Sequence, residues 1–229
     1  MEMDQPITGR IGRLKIMSKI EDMLAVYFIS GTQDIIKGSL FSVLEEALQA
    51  GITCFQYREK GTGSLTNPIE IEETARKCQQ LCQKYKVPFL VNDDVELALK
   101  IGSDGIHVGQ GDQAIEEVVE LFQGKIVGLS CETQKHVELA NQFSEISYYG
   151  IGPVFGTISK ADAVQPIGLE KLDRYAKISE KPVVAIGGIS TKNSQAVLNT
   201  AVAGVSVISA ITRAESISQA VHRLKQISK

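Results

Sequence analysis

The sequence predicts an α/β fold, a (β/α)8 TIM barrel in a single domain, and three observations carry that prediction. Short apolar runs alternate with helix-patterned stretches eight times along the chain. Successive strands start near residues 25, 53, 88, 104, 126, 147, 183 and 205. That spacing of about 26 residues suits a strand, a helix and two short connections. The strands are apolar almost throughout, as expected of parallel strands buried on both faces. Eight such units close most naturally into a barrel. An open doubly wound sheet is the competitor. Gly31 stands alone after the first strand, where the dinucleotide-binding form would carry Gly-x-Gly-x-x-Gly.

The elements follow in order. Residues 25–29 (AVYFI) are β-rich, and residues 39–49 place leucines and alanines on a helical period, with Gly51 to end the helix. Residues 53–57 form the second strand. A long helix follows over 68–85, where Pro68 suits the first turn. Strands at 88–91, 105–108 and 126–129 are separated by helices from Asp93 or Asp94 to near Gly102 and over 113–121. A helix over 134–142 leads to a strand at 147–151, and a long loop precedes the helix at 169–178. The strand 183–186, helix 191–199, strand 205–208 and helix 217–226 complete the pattern. Residues 1–22 fall outside it and read as a poorly ordered extension before a barrel spanning 23–229, a weak amphipathic surface helix being the other reading. Met17 opens a plausible chain of its own.

Composition narrows the function. Lys plus Arg number 24 and Asp plus Glu 27, a net charge of −3 in 229 residues. Such a chain has no surplus of cations to neutralise a nucleic-acid backbone, although one small anion could still be held locally. Cys54, Cys78, Cys82 and Cys131 show no C-x-x-C spacing and read as reduced, mostly buried thiols. Three dispersed histidines make no zinc set, and His136 and His222 read as surface residues of outer helices. No apolar run is long enough to cross a membrane, and the basic N-terminus lacks a secretory core, so a cytoplasmic protein is expected.

In a barrel of this kind the C-terminal strand ends converge on one face, where the chemistry sits. After strand two, alternation puts Gln56, Arg58 and Lys60 on one side and Tyr57 and Glu59 on the other. Buried cationic groups at a strand end point to an anion clamp, with Arg58 paired inside the barrel as the structural reading. After strand three come Asn92, Asp93 and Asp94; Asp94 suits a helix cap. Asp112, after strand four, can approach Asp93, and two neighbouring carboxylates beside a phosphate clamp suit Mg²⁺. Asp112 also reads as a helix cap, and His107 reads equally as a packed layer residue or a catalytic one. Ser130 follows strand five. The loop from Gly152 through Thr157, Ile158, Ser159 and Lys160 suits a mobile anion-binding lid or a plain solvated loop. Gly187 and Gly188 after strand seven, with Ile208 and Ser209 after strand eight, make a second phosphate site. Two phosphorylated groups across one mouth are implied.

Taken together, the strand ends resemble the thiamine-phosphate synthase family from about Leu24 onward. The resemblance rests on FQYREKG at 55–61, VNDD at 91–94, DGIHVGQGD at 104–112 and GLS at 128–130. It continues in GIGPVFGTISK at 150–160, AIGGI at 185–189 and GVSVISAI at 204–211. It implies a transferase that joins 4-amino-2-methyl-5-(diphosphooxymethyl)pyrimidine to a thiazole phosphate, giving thiamine phosphate and pyrophosphate. By the resemblance, Gln56, Arg58, Lys60, Asn92, Ser130 and Lys160 hold the pyrimidine diphosphate. Asp93 and Asp112 bind Mg²⁺. Thr157, Ser159, Gly188, Ile208 and Ser209 hold the thiazole phosphate, and Tyr57, Glu59 and Ile158 are counted with the substrate-binding segments. Arg58, Lys60 and Lys160 are the expected catalytic cations. Glu132 departs from the family pattern, replacing a histidine that many relatives carry. A thiazole tautomerase using His107, or a non-catalytic sensor of phosphorylated ligands, are the alternatives. Whether the barrel is a monomer or a homo-oligomer is left open.

Overall fold

Eight parallel strands close into a barrel in chain order in the computed structural model, which describes residues 17–156 and 165–225. The strands are β1 (Val26–Ser30), β2 (Cys54–Tyr57), β3 (Phe89–Asn92), β4 (Gly105–Val108), β5 (Ile126–Cys131), β6 (Tyr148–Ile151), β7 (Val183–Ile186) and β8 (Gly204–Val207). Each pairs in parallel with the next, and β8 returns to β1 with Val26 opposite Val205. The helices are α1 (residues 17–24), α2 (Leu40–Ala50), α3 (Pro68–Tyr85), α4 (Val95–Ile101) and α5 (Ile115–Leu121), then α6 (Gln134–Ala140), α7 (Gly168–Ile178), α8 (Ser194–Leu198), α9 (Ser209–Thr212) and α10 (Ile217–Lys225).

Local chemistry explains the helix boundaries. Ser39 caps α2 by accepting from Ser42 N at 3.1 Å, and Gly51 ends that helix in the left-handed region at φ 95°. Pro68 opens α3, where a missing N–H costs nothing. Asp94 caps α4 by accepting from Leu97 N at 2.9 Å. The helix expected over 191–199 is shorter, because Asn193 Oδ1 accepts from Ser190 N at 2.7 Å and holds the preceding residues in a turn.

Strand alternation sorts the core into two layers. Phe28, Phe55, Phe89, Val108, Leu129 and Tyr149 face outward and pack against the helices in one apolar cluster. Each fully buried side chain of this kind contributes about 1.5–3 kcal/mol. Tyr27, Ile29, Cys54, Leu90, Tyr148 and Val184 form a second, smaller cluster inside the barrel. Met23 and Leu24 of α1 are buried in that inner cluster and Ile20 packs against it, so the helix closes the barrel floor. Thr53 Oγ1 donates to Met23 O at 2.8 Å, tying α1 to the start of β2. The extension drawn through residue 22 is therefore helical from residue 17; residues 1–16 lie outside the described residues.

All four cysteines are free and buried. Burial pushes their thiols up, that of Cys131 to about 12. Among the described residues, no helix is long and apolar enough to cross a membrane.

Candidate active site

The C-terminal strand ends surround a cavity of about 440 Å³. Its first wall comes from β2, β3 and β4. Arg58 continues the inward phase of Cys54 and Gln56 and is buried at the mouth. Its backbone is fixed from both sides: its N–H donates to Ser30 O at 3.1 Å, and its carbonyl accepts from Gln33 Nε2 at 2.8 Å. The guanidinium donates to Lys60 O at 3.3 Å. Gly31 permits the close approach, since a Cβ there would lie 2.2 Å from Arg58 O.

Lys60 Nζ stands 2.6 Å from Asp93 Oδ2 and 3.8 Å from Asp112 Oδ1. The hydrogen bond to Asp93 raises the ammonium above its ordinary value. Asp112 Oδ2 accepts from Gly109 N at 2.7 Å, and partial burial together with the Asp93 carboxylate raises its carboxyl. Asp93 has φ 60°, a left-handed conformation that a side chain rarely adopts. Such a conformation persists only where the surrounding structure holds it in place. Asp94 turns away to cap α4, so two adjacent aspartates have separate tasks. The two cavity carboxylates converge on a cation of the protein's own, which is the donor chemistry a divalent ion bridging to phosphate requires. Among the described residues no group of three or more acidic, histidine or cysteine side chains could hold a metal by itself. Any ion here would therefore need ligand oxygens as well.

The floor of the cavity is polar. Ser130 belongs to β5, two residues deeper in the strand than expected, and its hydroxyl is 2.9 Å from His107 Nε2. His107 Nδ1 is 2.9 Å from Tyr148 Oη, which is 2.7 Å from Tyr27 Oη. Gln56 Nε2 donates to Tyr27 Oη at 2.7 Å, so Gln56 lies in the lumen below the mouth. Sequence reasoning missed Tyr27 and Tyr148, although alternation with outward Phe28 places Tyr27 inside, where a phenol needs a partner. Asn92 and Glu132 line the cavity, and Gln110 Nε2 donates to Ser130 O at 2.8 Å.

The side chains of Tyr57 and Glu59, counted with the substrate-binding segments, are placed away from the cavity lining. Tyr57 packs in the outer cluster, because neighbouring strand residues face opposite ways. The Glu59 carboxylate accepts from Thr32 N at 3.1 Å, Leu65 N at 2.8 Å and the Thr32 hydroxyl, pinning two loops together.

The opposite wall is built from backbone. Val154 N donates to Ile186 O at 2.9 Å and Phe155 N to Gly187 O at 3.0 Å, joining the loop after β6 to the end of β7. Gly187 and Gly188 have φ 98° and 64°. A Cβ on Gly188 would lie 2.5 Å from Gly156 O. Asn193 Nδ2 holds this turn by donating to Gly188 O at 3.0 Å. Ile208 and Ser209 complete the wall, where the short α9 begins; four residues are too few to give a helical period in the sequence. Thr157, Ile158, Ser159 and Lys160 lie outside the described residues.

Residues 26–211 match the model of a family described as thiamine monophosphate synthase. The chain belongs to that family. Membership bears out the resemblance found in the strand-end motifs. A thiamine-phosphate synthase of Listeria innocua serovar 6a is 54% identical over 204 residues, covering 88% of this chain and 95% of the relative. One from Pediococcus pentosaceus is 48% identical over 210 residues, with 91% and 97% covered. A solved thiamine phosphate pyrophosphorylase from Pyrococcus furiosus has a TM-score of 0.80 at 33% identity, over 90% of this chain and 96% of that one. A 3-hexulose-6-phosphate synthase from Salmonella typhimurium, at 16% identity and a TM-score of 0.65, shares the barrel fold.

Proposed function

We propose that this barrel is a transferase of thiamine biosynthesis, joining an aminopyrimidine methyl diphosphate to a thiazole phosphate to give thiamine phosphate and pyrophosphate. The observation that carries the reading is the contrast across one cavity in a chain of this family. Arg58, Lys60, Asp93 and Asp112 converge on one wall, and Gly187, Gly188, Ile208 and Ser209 form the other. The charged wall suits the diphosphate, and the backbone wall suits the second phosphate.

Asp93 and Asp112 would hold Mg²⁺, which when bound supplies positive charge to the diphosphate. Arg58 and Lys60 hold the diphosphate oxygens, and Asn92, Ser130 and Gln56 orient the pyrimidine. Lys160 joins the diphosphate contacts, while Thr157 and Ser159 join those to the thiazole phosphate. The carbon–oxygen bond to the diphosphate breaks with its electron pair leaving on oxygen. The pyrimidine ring spreads the positive charge left on the methylene carbon. A lone pair of the thiazole nitrogen then forms the carbon–nitrogen bond. That nitrogen carries no proton to lose, so the residues align and stabilise charge rather than act as a base. The substrates are small and phosphorylated, and a cytoplasmic site of action accords with this reading.

His107 has a partner on each ring nitrogen, an arrangement that favours a positioning role over the proton transfer a tautomerase would need. The test is direct. The purified chain, given both substrates with and without Mg²⁺, is expected to form thiamine phosphate and pyrophosphate in equal amounts only with the metal. Absence of both products overturns the reading; ligand binding without pyrophosphate release would instead identify a sensor.

A further inference from the structure

The middle of a barrel of this class is ordinarily filled by branched apolar side chains. Here it is crossed by a continuous file of hydrogen bonds from Gln56 through Tyr27, Tyr148 and His107 to Ser130 at the cavity floor. Space is kept for it. A Cβ on Gly128 would lie 2.4 Å from Tyr148 Oη and 2.5 Å from His107 Nδ1, and one on Gly150 would lie 3.0 Å from the His107 ring. Both phenols are fully buried, and burial pushes each well above its ordinary value, so each keeps a hydrogen to donate.

Counting donors gives the file a direction. Gln56 Nε2 can only donate, so Tyr27 Oη accepts there. The Tyr27 hydrogen then passes to Tyr148 Oη, and the Tyr148 hydrogen to His107 Nδ1. A neutral imidazole accepting at Nδ1 carries its hydrogen on Nε2, which donates to Ser130 Oγ. Run the other way, Tyr27 would face two donors and its own buried hydrogen would have no acceptor in the file. Outside the file it would be left with the Cys54 sulfur, a weak acceptor, which is the costlier arrangement.

We propose that Tyr27, Tyr148 and His107 are positioning residues whose one-way file of hydrogen bonds makes Ser130 accept from below and donate its hydroxyl hydrogen upward to the pyrimidine diphosphate. The role assigned to Ser130 rests on the function proposed above; the direction of the file does not. A buried file with every member satisfied holds one geometry. It presents the Ser130 hydrogen already aimed, so little ordering remains when the substrate arrives.

Two experiments test this. In ligand-free protein with nitrogen-15 histidine, the ring shifts assigned to His107 by comparison with His107→Asn should show the Nε2–H tautomer. The Nδ1–H tautomer would overturn the proposal whatever reaction the enzyme performs. Tyr148→Phe keeps the ring and removes the relay. It should lower kcat/KM for the pyrimidine diphosphate about tenfold, the scale of one misdirected hydrogen bond to a charged group, with KM for the thiazole phosphate unchanged. In a Ser130→Ala background the same substitution should cost nothing further. An equal loss in both backgrounds would show a merely structural tyrosine and defeat the proposal. If the wild-type chain forms no thiamine phosphate, the proposed function fails instead, and the tautomer still decides the direction of the file.

Discussion

The two walls of the mouth are built of different materials, and on the proposed function each meets the same problem, holding phosphate oxygens. The β2–β4 wall uses side chains: Arg58 on a backbone pinned by Gln33 and Ser30, and Lys60 between Asp93 and Asp112. The β7–β8 wall uses main chain: Gly187 and Gly188 in left-handed turns against Pro153 and Gly156, with Ser209 opening α9. Mobile charges can follow a group whose charge changes as a bond breaks, whereas a fixed backbone cradle suits a group that only needs to stay put. The charged wall should therefore govern turnover and the backbone wall affinity.

The sharpest way to break that division is at the charged wall. Asp93→Ala or Arg58→Ala should lower kcat about 100- to 1000-fold, the scale of a lost charge-stabilising contact. Circular dichroism should remain unchanged. Near-native turnover in a folded variant would abolish the distinction. Next comes removal of divalent metal by a chelator, which should stop product formation reversibly, with Mg²⁺ restoring it. Gly188→Ala forces a side chain into a left-handed backbone and against Gly156 O. It should raise KM for the thiazole phosphate more than it lowers kcat, as steady-state kinetics with each substrate varied will show. Asp94→Ala sharpens the contrast from beside Asp93: it should cost about 1 kcal/mol of stability through the lost α4 cap, read by denaturant unfolding, with kcat kept. Glu132→His should have the smallest effect, far below that of Asp93→Ala in the same assay.

The division between walls was partly legible before any coordinates. All eight strands lie within two residues of their expected positions because apolar runs bounded by polar turns mark buried parallel strands clearly. Arg58, Asp93 and Asp112 stand out because charge at a strand end has little structural use unless it meets something. The positive φ at Asp93 was not legible: it sits at the centre of a tight turn in which Asp94 N donates to Asn92 O at 2.7 Å, while Asp93 N stays paired across the strands with His107 O at 2.9 Å. Within the same motif, alternation separates the faces: Tyr57 packs outward and Glu59 ties two loops, while Arg58 and Lys60 line the cavity. Tyr27 and Tyr148 look like ordinary strand aromatics until register brings their hydroxyls within 2.7 Å. α1 was legible only as the alternative reading of the N-terminal segment, because its apolar residues are too few for a clear period; Met23 and Leu24 nonetheless bury against the inner cluster.

The burial of every native thiol has a practical consequence. A sulfhydryl reagent meets only protonated, enclosed sulfurs in the folded protein. A single cysteine substituted at exposed Gly156, where a Cβ meets nothing within 4 Å, would therefore take a fluorophore alone. Placed at the rim of the backbone wall, that dye could report in real time which substrate arrives first and which product leaves last.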